Sequence, residues 1–183
     1  MRSALLIIDI QNDYFPGGKM ELEGSIEASL RARELLRLFR RKRSPVIHIH
    51  HVSTRPGASF FLPDTDGVRP HSHVEPMPHE MVVQKNFPNS FRETPLLDHL
   101  REDNLDHLVI AGMMTHMCID ATTRAAFDHG FSCTVAHDAC ATRSLSFGGQ
   151  VVPAHQVHLA FLAALQGIYA KVASTVEICE GDS

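Results

Sequence analysis

The chain has 183 residues, 44% of them hydrophobic, with a formal net charge of −4 and a pI near 6.3. That is long enough for one well-buried core and is most simply a single domain, residues 1–183. The acidic balance argues against a nucleic-acid surface, and no apolar stretch approaches the ~20 residues that span a bilayer.

Met1-Arg2-Ser3 runs directly into a core strand. Cysteines at 118, 133, 140 and 179 show neither CxxC spacing nor disulfide density, so a cytoplasmic protein is expected. Ala4-Leu5-Leu6-Ile7-Ile8 is a continuous apolar run, the pattern of a strand buried on both faces, and it ends in Asp9. Ile10-Gln11-Asn12-Asp13 and a Phe15-Pro16-Gly17-Gly18 loop follow. Residues 26–41 read as a helix with Leu30, Leu35, Leu36 and Phe39 on its apolar side. The basic run Arg40-Arg41-Lys42-Arg43 closes it, where cations complement the helix dipole, and is not read as a binding patch.

A second strand covers residues 45–50, and a Pro/Gly/His-rich excursion over 53–79 is long enough to shape a site. Met81-Val82-Val83 then leads through Gln84 to Lys85, and a helix is expected over 94–103. The strand Leu108-Val109-Ile110-Ala111 runs through Gly112-Met113-Met114-Thr115-His116-Met117 into a helix that begins around Cys118. Thr115 reads as its N-cap and Gly130 as its C′ glycine. A strand over 133–136, a helix over 153–165 and a short strand at Val172-Ala173 complete the chain. Alternation of this kind predicts an α/β protein, a three-layer α/β/α sandwich around a mainly parallel sheet.

Three strands thus end in a carboxylate, an ammonium and a thiol: Asp9, Lys85 and Cys118. Ligands bind outside the carboxyl ends of parallel strands. Taken singly, each residue has an ordinary explanation as turn former, solvated head group or small buried cysteine. Taken together they supply a base, a positive charge and a nucleophile for acyl transfer. A helix N-terminus and a nearby ammonium are expected to draw the Cys118 thiol below the ordinary ~8.5, toward roughly 3.5–7.5.

Asp9 in a strand-Asp-x-Gln-Asn-Asp setting, Lys85 ahead of Asn89-Ser90-Phe91, and Gly112-x-x-Thr115-x-x-Cys118 resemble the isochorismatase-like cysteine hydrolases. The resemblance covers residues 4–175, with the motifs in the family's order and spacing. It implies six strands in the order 3-2-1-4-5-6, with the Asp9 and Cys118 strands adjacent. It also implies that Cys118 is the nucleophile, Asp9 the general base and Lys85 the electrostatic partner. A cis Met113–Met114 peptide would set the Met114 and Cys118 amides together as an oxyanion hole. Assembly into a homo-oligomer, a dimer or tetramer, is implied as well.

The family spans nicotinamidases, N-carbamoyl amidases, ureidoacrylate amidases, streptothricin hydrolases and true isochorismatases. The last cleave a vinyl ether and lack the cysteine. Its presence here favours a C–N bond in a small-molecule amide, lactam, carbamoyl or ureido substrate. Nicotinamidases bind a divalent ion through an Asp-x-His pair and a later His. Here Ser53 and Arg55 stand at those first two positions, leaving His71 and His73 without a third ligand, so no metal and no cofactor is expected. His99, His107 and His129 read as solvated residues of loops and helix ends.

Phe15, Phe60 (with Phe61), Thr115 and His116 are the candidate pocket residues, each equally able to serve core or subunit packing. Asn12 and Asp13 are expected to hold the first loop together. Three rival functions stand beside the metal-independent cysteine hydrolase: a nicotinamidase with an altered metal site, a catalytically silent binding module, and a redox role for Cys118.

Overall fold

Both faces of the first strand are buried, and this dictates the layering. In the computed structural model, which describes residues 2–181, β1 (Ser3–Ile8) alternates its side chains between two apolar clusters. Ala4, Leu6 and Ile8 enter one, and Leu5 and Ile7 the other. Each fully buried aliphatic side chain of this kind contributes ~1.5–3 kcal/mol. Met1, Asp182 and Ser183, the ends of the expected domain, lie outside the described residues.

Five further strands join β1 in one parallel sheet: β2 (Val46–His51), β3 (Met81–Lys85), β4 (His107–Met113), β5 (Ser132–Ala141) and β8 (Lys171–Ala173). Their order is β3-β2-β1-β4-β5-β8, which is the expected 3-2-1-4-5-6 when only sheet members are counted. The helices α1 (Ser25–Lys42) and α5 (Thr175–Gly181) cover one face. Those named α2 (Leu96–Glu102), α3 (Asp120–Asp128) and α4 (Ala154–Leu165) cover the other. The result is the expected three-layer sandwich. Among the described residues no helix is long and apolar enough to cross a membrane.

Several details differ from expectation. The strands β6 (Leu145–Phe147) and β7 (Gln150–Val152) form a separate antiparallel hairpin with Phe147 and Val151 exposed, so no buried alternation announces it. Strand β5 runs well past Ala136 because it bulges against β4: the pairing passes from Ile110↔Val135 to Gly112↔Cys140. His107 is no solvated loop residue. It is buried on β4 between the Ser3 hydroxyl at 2.9 Å and the Thr134 hydroxyl at 2.9 Å. The basic run does close α1, with Arg43 as a left-handed C-cap and Arg40 paired to Glu80 at 2.7 Å.

Gly112 is the tightest point between β1 and β4. It sits at φ +142° opposite Ile8, and an added Cβ would overlap the Ile8 carbonyl. Gly112→Ala therefore combines backbone strain with overpacking against a neighbouring strand. We expect a loss of about 3 kcal/mol or more, roughly 6–12 °C in Tm for a chain of this length. A thermal melt within about 2 °C of the parent would show that the strands can part without penalty.

Candidate active site

The carboxyl ends of β1, β3 and β4 converge on one buried ammonium. Asp9 follows β1 in the left-handed region (φ 52°), a conformation that Asp tolerates better than most residues. Its amide still donates to Ile49 O on β2 at 2.9 Å, while its carbonyl accepts from Gln11 N at 3.0 Å as the chain turns out of the sheet. Lys85 ends β3, and its side chain crosses beneath β2 to reach the end of β1. At ~4.8 Å between strands only a long side chain spans that gap. Cys118 lies in a π turn, Thr115–Ile119, that joins β4 to α3; the Met114 carbonyl accepts from Met117 at 3.0 Å and from Ile119 at 3.3 Å.

All three Lys85 N–H groups are used. Nζ donates to Asp9 Oδ2 at 2.7 Å, to His51 Nδ1 at 3.1 Å and to Cys118 Sγ at 3.3 Å. Lys85 and Asp9 are essentially inaccessible to solvent, at 1% and 0% exposure. The second Asp9 oxygen, Oδ1, is buried without a hydrogen-bond partner, while a carboxylate oxygen of Asp9, a His51 nitrogen and Cys118 Sγ all lie within 4.8 Å of one another. Burial disfavours the Lys85 charge, but Asp9 and Cys118 outweigh it and raise its pKa. Burial, then Lys85, lowers His51 to about 4, so its ring is neutral at pH 7.

The Cys118 thiol behaves opposite to expectation. Burial comes first and the Asp9 carboxylate second, and together they push its pKa above the ordinary value despite the opposing pull of Lys85. At neutral pH Cys118 is therefore a neutral thiol beside a carboxylate.

Above the thiol lies a cavity of ≈ 300 Å³. Tyr14, Met114 and Cys118 form its buried floor, Ser53, Phe60, Phe87 and Pro88 its walls, and Thr54, Arg55, Asn86 and Met117 its exposed rim. Of the expected pocket residues only Phe60 lines it. Phe15 instead stacks on His71 at 3.7 Å, one residue out of phase with Tyr14. Thr115 is neither pocket nor N-cap: the cap position is Met114, and the Thr115 hydroxyl is spent on Ala141 O at 3.3 Å and His158 Nδ1 at 2.8 Å. His116 turns to the Thr142 hydroxyl at 2.6 Å and packs on Phe161. Tyr14 directly follows the Asp9–Asp13 motif, and Arg55 stands at one of the two positions where nicotinamidases carry metal ligands; neither these residues nor His51 carries a pocket signal of its own in the sequence. The Met113–Met114 peptide is cis.

Asn12 and Asp13 hold the first loop, and more. Asp13 Oδ2 accepts from Phe61 N at 2.6 Å, Asn12 Nδ2 donates to Asp66 O at 3.1 Å, and Gln11 Nε2 donates to Val68 O at 2.7 Å. The excursion is thereby fastened to the end of β1.

The residues present do not suit the divalent ion that the family resemblance raises. Among the described residues Asp9, His51 and Cys118 are the one cluster with metal-ligand spacing, and the Lys85 ammonium already contacts all three. His71 and His73 belong to no such cluster; His71 is stacked on Phe15 and His73 Nδ1 is 2.8 Å from Ser29 Oγ.

The isochorismatase domain profile matches residues 3–176. The chain belongs to the isochorismatase family. The uncharacterised isochorismatase-family protein YddQ of Bacillus subtilis is 50% identical over 96% of this chain and 97% of its own. An isochorismatase-type crystal structure from Oleispira antarctica superposes with a TM-score of 0.94 at 50% identity, covering 98% of this chain and 97% of that one. The streptothricin hydrolase of Streptomyces noursei is 36% identical over 76% of this chain and 54% of its own. Amidases, hydrolases of C–N bonds, are among the family relatives of the chain.

The raised thiol gives a direct test. Because the thiolate is disfavoured, iodoacetamide should label Cys118 more slowly at pH 7 than it labels a free thiol. The rate should still be climbing above about pH 9, beyond the ordinary thiol range. A plateau below about pH 8, followed by peptide mass spectrometry, would reveal a preformed thiolate and overturn this description.

Proposed function

We propose that this isochorismatase-family hydrolase cleaves a C–N bond of a small molecule through a Cys118 thioester, without a metal. The observation that carries the proposal is the unpartnered buried oxygen of Asp9 beside a neutral thiol, with Lys85 saturating the other carboxylate oxygen. In this scheme Asp9 accepts the thiol proton as Sγ bonds to the substrate carbonyl carbon. The oxyanion that forms is held by the Met114 and Cys118 amides, a type of contact worth ~2.7–4 kcal/mol per donor. As the C–N bond breaks, Asp9 returns that proton to the departing nitrogen. Asp9 then takes a proton from water as it attacks the thioester, and the proton goes back to sulfur when the acid leaves.

Lys85 donates no proton here. Its fixed charge steadies the carboxylate through both half-reactions, while Ser53 and Arg55 stand where the Asp-x-His metal ligands would be. That favours this scheme over a nicotinamidase with an altered metal site. In the same reading the chain is one catalytic domain with no nucleic-acid or membrane partner. The absence of a disulfide among the cysteines of the described residues supports a cytoplasmic setting, and exposed apolar residues such as Phe147 (89%) and Leu159 (68%) support a homo-oligomer, dimer or tetramer.

An amide and ureide panel read out by ammonia or amine release tests the scheme. Cys118→Ala should lose at least about 10³-fold in turnover, and Asp9→Asn about 10²–10⁴-fold, with circular dichroism unchanged. Chelators should leave the rate alone, and quenched reactions should show an acyl mass on the Cys118 peptide. Substantial turnover by a clean Cys118→Ala preparation would end the nucleophile assignment.

A further inference from the structure

The charge around the thiol cavity is unbalanced. Asp9 and Lys85 cancel beneath the floor, and His51 is neutral. Arg55 is the one residue lining the cavity that carries a formal charge, and no Asp or Glu lines it. Among the described residues no carboxylate pairs with its guanidinium.

Its position is also set from below. Val52 N donates to Lys85 O at 2.9 Å, Ser53 N to Phe61 O at 2.9 Å, and Asn86 Nδ2 to Val52 O at 2.8 Å. A turn closed by Ala58 N on Arg55 O at 3.3 Å, with Gly57 at φ 79°, follows at once. The segment that bears Arg55 is thus tied to the strand ends that carry Lys85. Aromatic rings line the cavity as well: Tyr14 on its floor and Phe60 and Phe87 in its walls, the last backed by Arg92 at 3.6 Å from its ring.

A cavity with aromatic rings in its lining, a thiol on its floor and a guanidinium without a carboxylate partner at its rim is complementary to a small organic body that carries an acid. We propose that Arg55 is an anion anchor, so that the substrates are small amides or ureides bearing a carboxylate. The inference rests on the hydrolase reading for the identity of the scissile bond, but not for the binding of the acid. Guanidinium suits the role because it grips a carboxylate through two parallel N–H donors.

Two alkylating agents of nearly equal size and opposite character test the anchor at the thiol itself. Iodoacetate carries the acid and iodoacetamide does not. In both reactions Sγ bonds to the methylene carbon, iodide leaves, and the thiol proton passes to Asp9 or water. The ratio of their rates at Cys118, measured by peptide mass spectrometry at one pH, should exceed the ratio for glutathione. Arg55→Gln should reduce it by roughly fivefold or more, the scale of one charge–charge contact in water, and Arg55→Lys should keep part of it. An unchanged ratio in Arg55→Gln overturns the anchor.

Binding of benzoate and benzamide to Cys118→Ala protein, with and without Arg55→Gln, supplies a readout independent of thiol reactivity. Preference for benzoate that vanishes with Arg55→Gln supports the anchor even if Cys118 resists both reagents, in which case only the nucleophile assignment falls. Equal affinities, or no binding of either compound at millimolar concentration, overturn the anchor while leaving amide turnover to be judged separately.

Discussion

Everything at this site depends on one ammonium group. Lys85 Nζ is removed from water and yet has a partner for each of its three protons: a carboxylate, an imidazole nitrogen and a sulfur. Desolvating such a charge costs several kcal/mol, and only good geometry with full hydrogen bonding offsets that cost. The geometry comes from the sheet. Because β3, β2, β1 and β4 lie side by side in parallel, their carboxyl ends share one edge, and a lysine from the outermost strand can reach under its neighbour to the next two. Placing Lys85 one residue earlier would direct it to the opposite face of β3, and the ion pair could not form.

The same packing explains why the sulfur is a thiol at rest. Proximity to a helix start and a cation would stabilise a thiolate, but depth works against it, and the adjacent carboxylate repels a second negative charge. A site with a full anion already in place cannot hold another cheaply. In the proposed scheme proton transfer to Asp9 and bond formation at sulfur are therefore tied together. Such an arrangement also shields the sulfur from casual oxidation, which requires thiolate character and exposure.

Much of this was legible in the chain because it follows from local patterns. The uninterrupted apolar runs at residues 4–8 and 108–111 could only be strands covered on both sides, and the residues that end them had to lie at the sheet edge. The identity of the chemical groups at three strand ends then narrowed the chemistry. What escaped was set by phase and depth. Whether Tyr14 or its neighbour Phe15 faces the thiol depends on how the chain turns after Asp9, which no periodicity records. Thr115 looked like a cap because Ser and Thr usually are, but the widened π turn moved the cap one residue earlier and left the hydroxyl to His158. The sign of the thiol shift was hidden for a similar reason, since burial is a property of the packed whole.

The excursion over residues 53–79 has a further consequence through its attachments to Gln11, Asn12 and Asp13. Those three residues follow the strand end that presents Asp9, so the wall of the cavity and the Asp9 carboxylate form one mechanical piece. Remodelling the loop by insertion or deletion would drag the carboxylate with it. Evolutionary change in what the cavity accepts is then channelled into single side-chain exchanges on the inner surface, at positions such as 54, 55, 60 and 87.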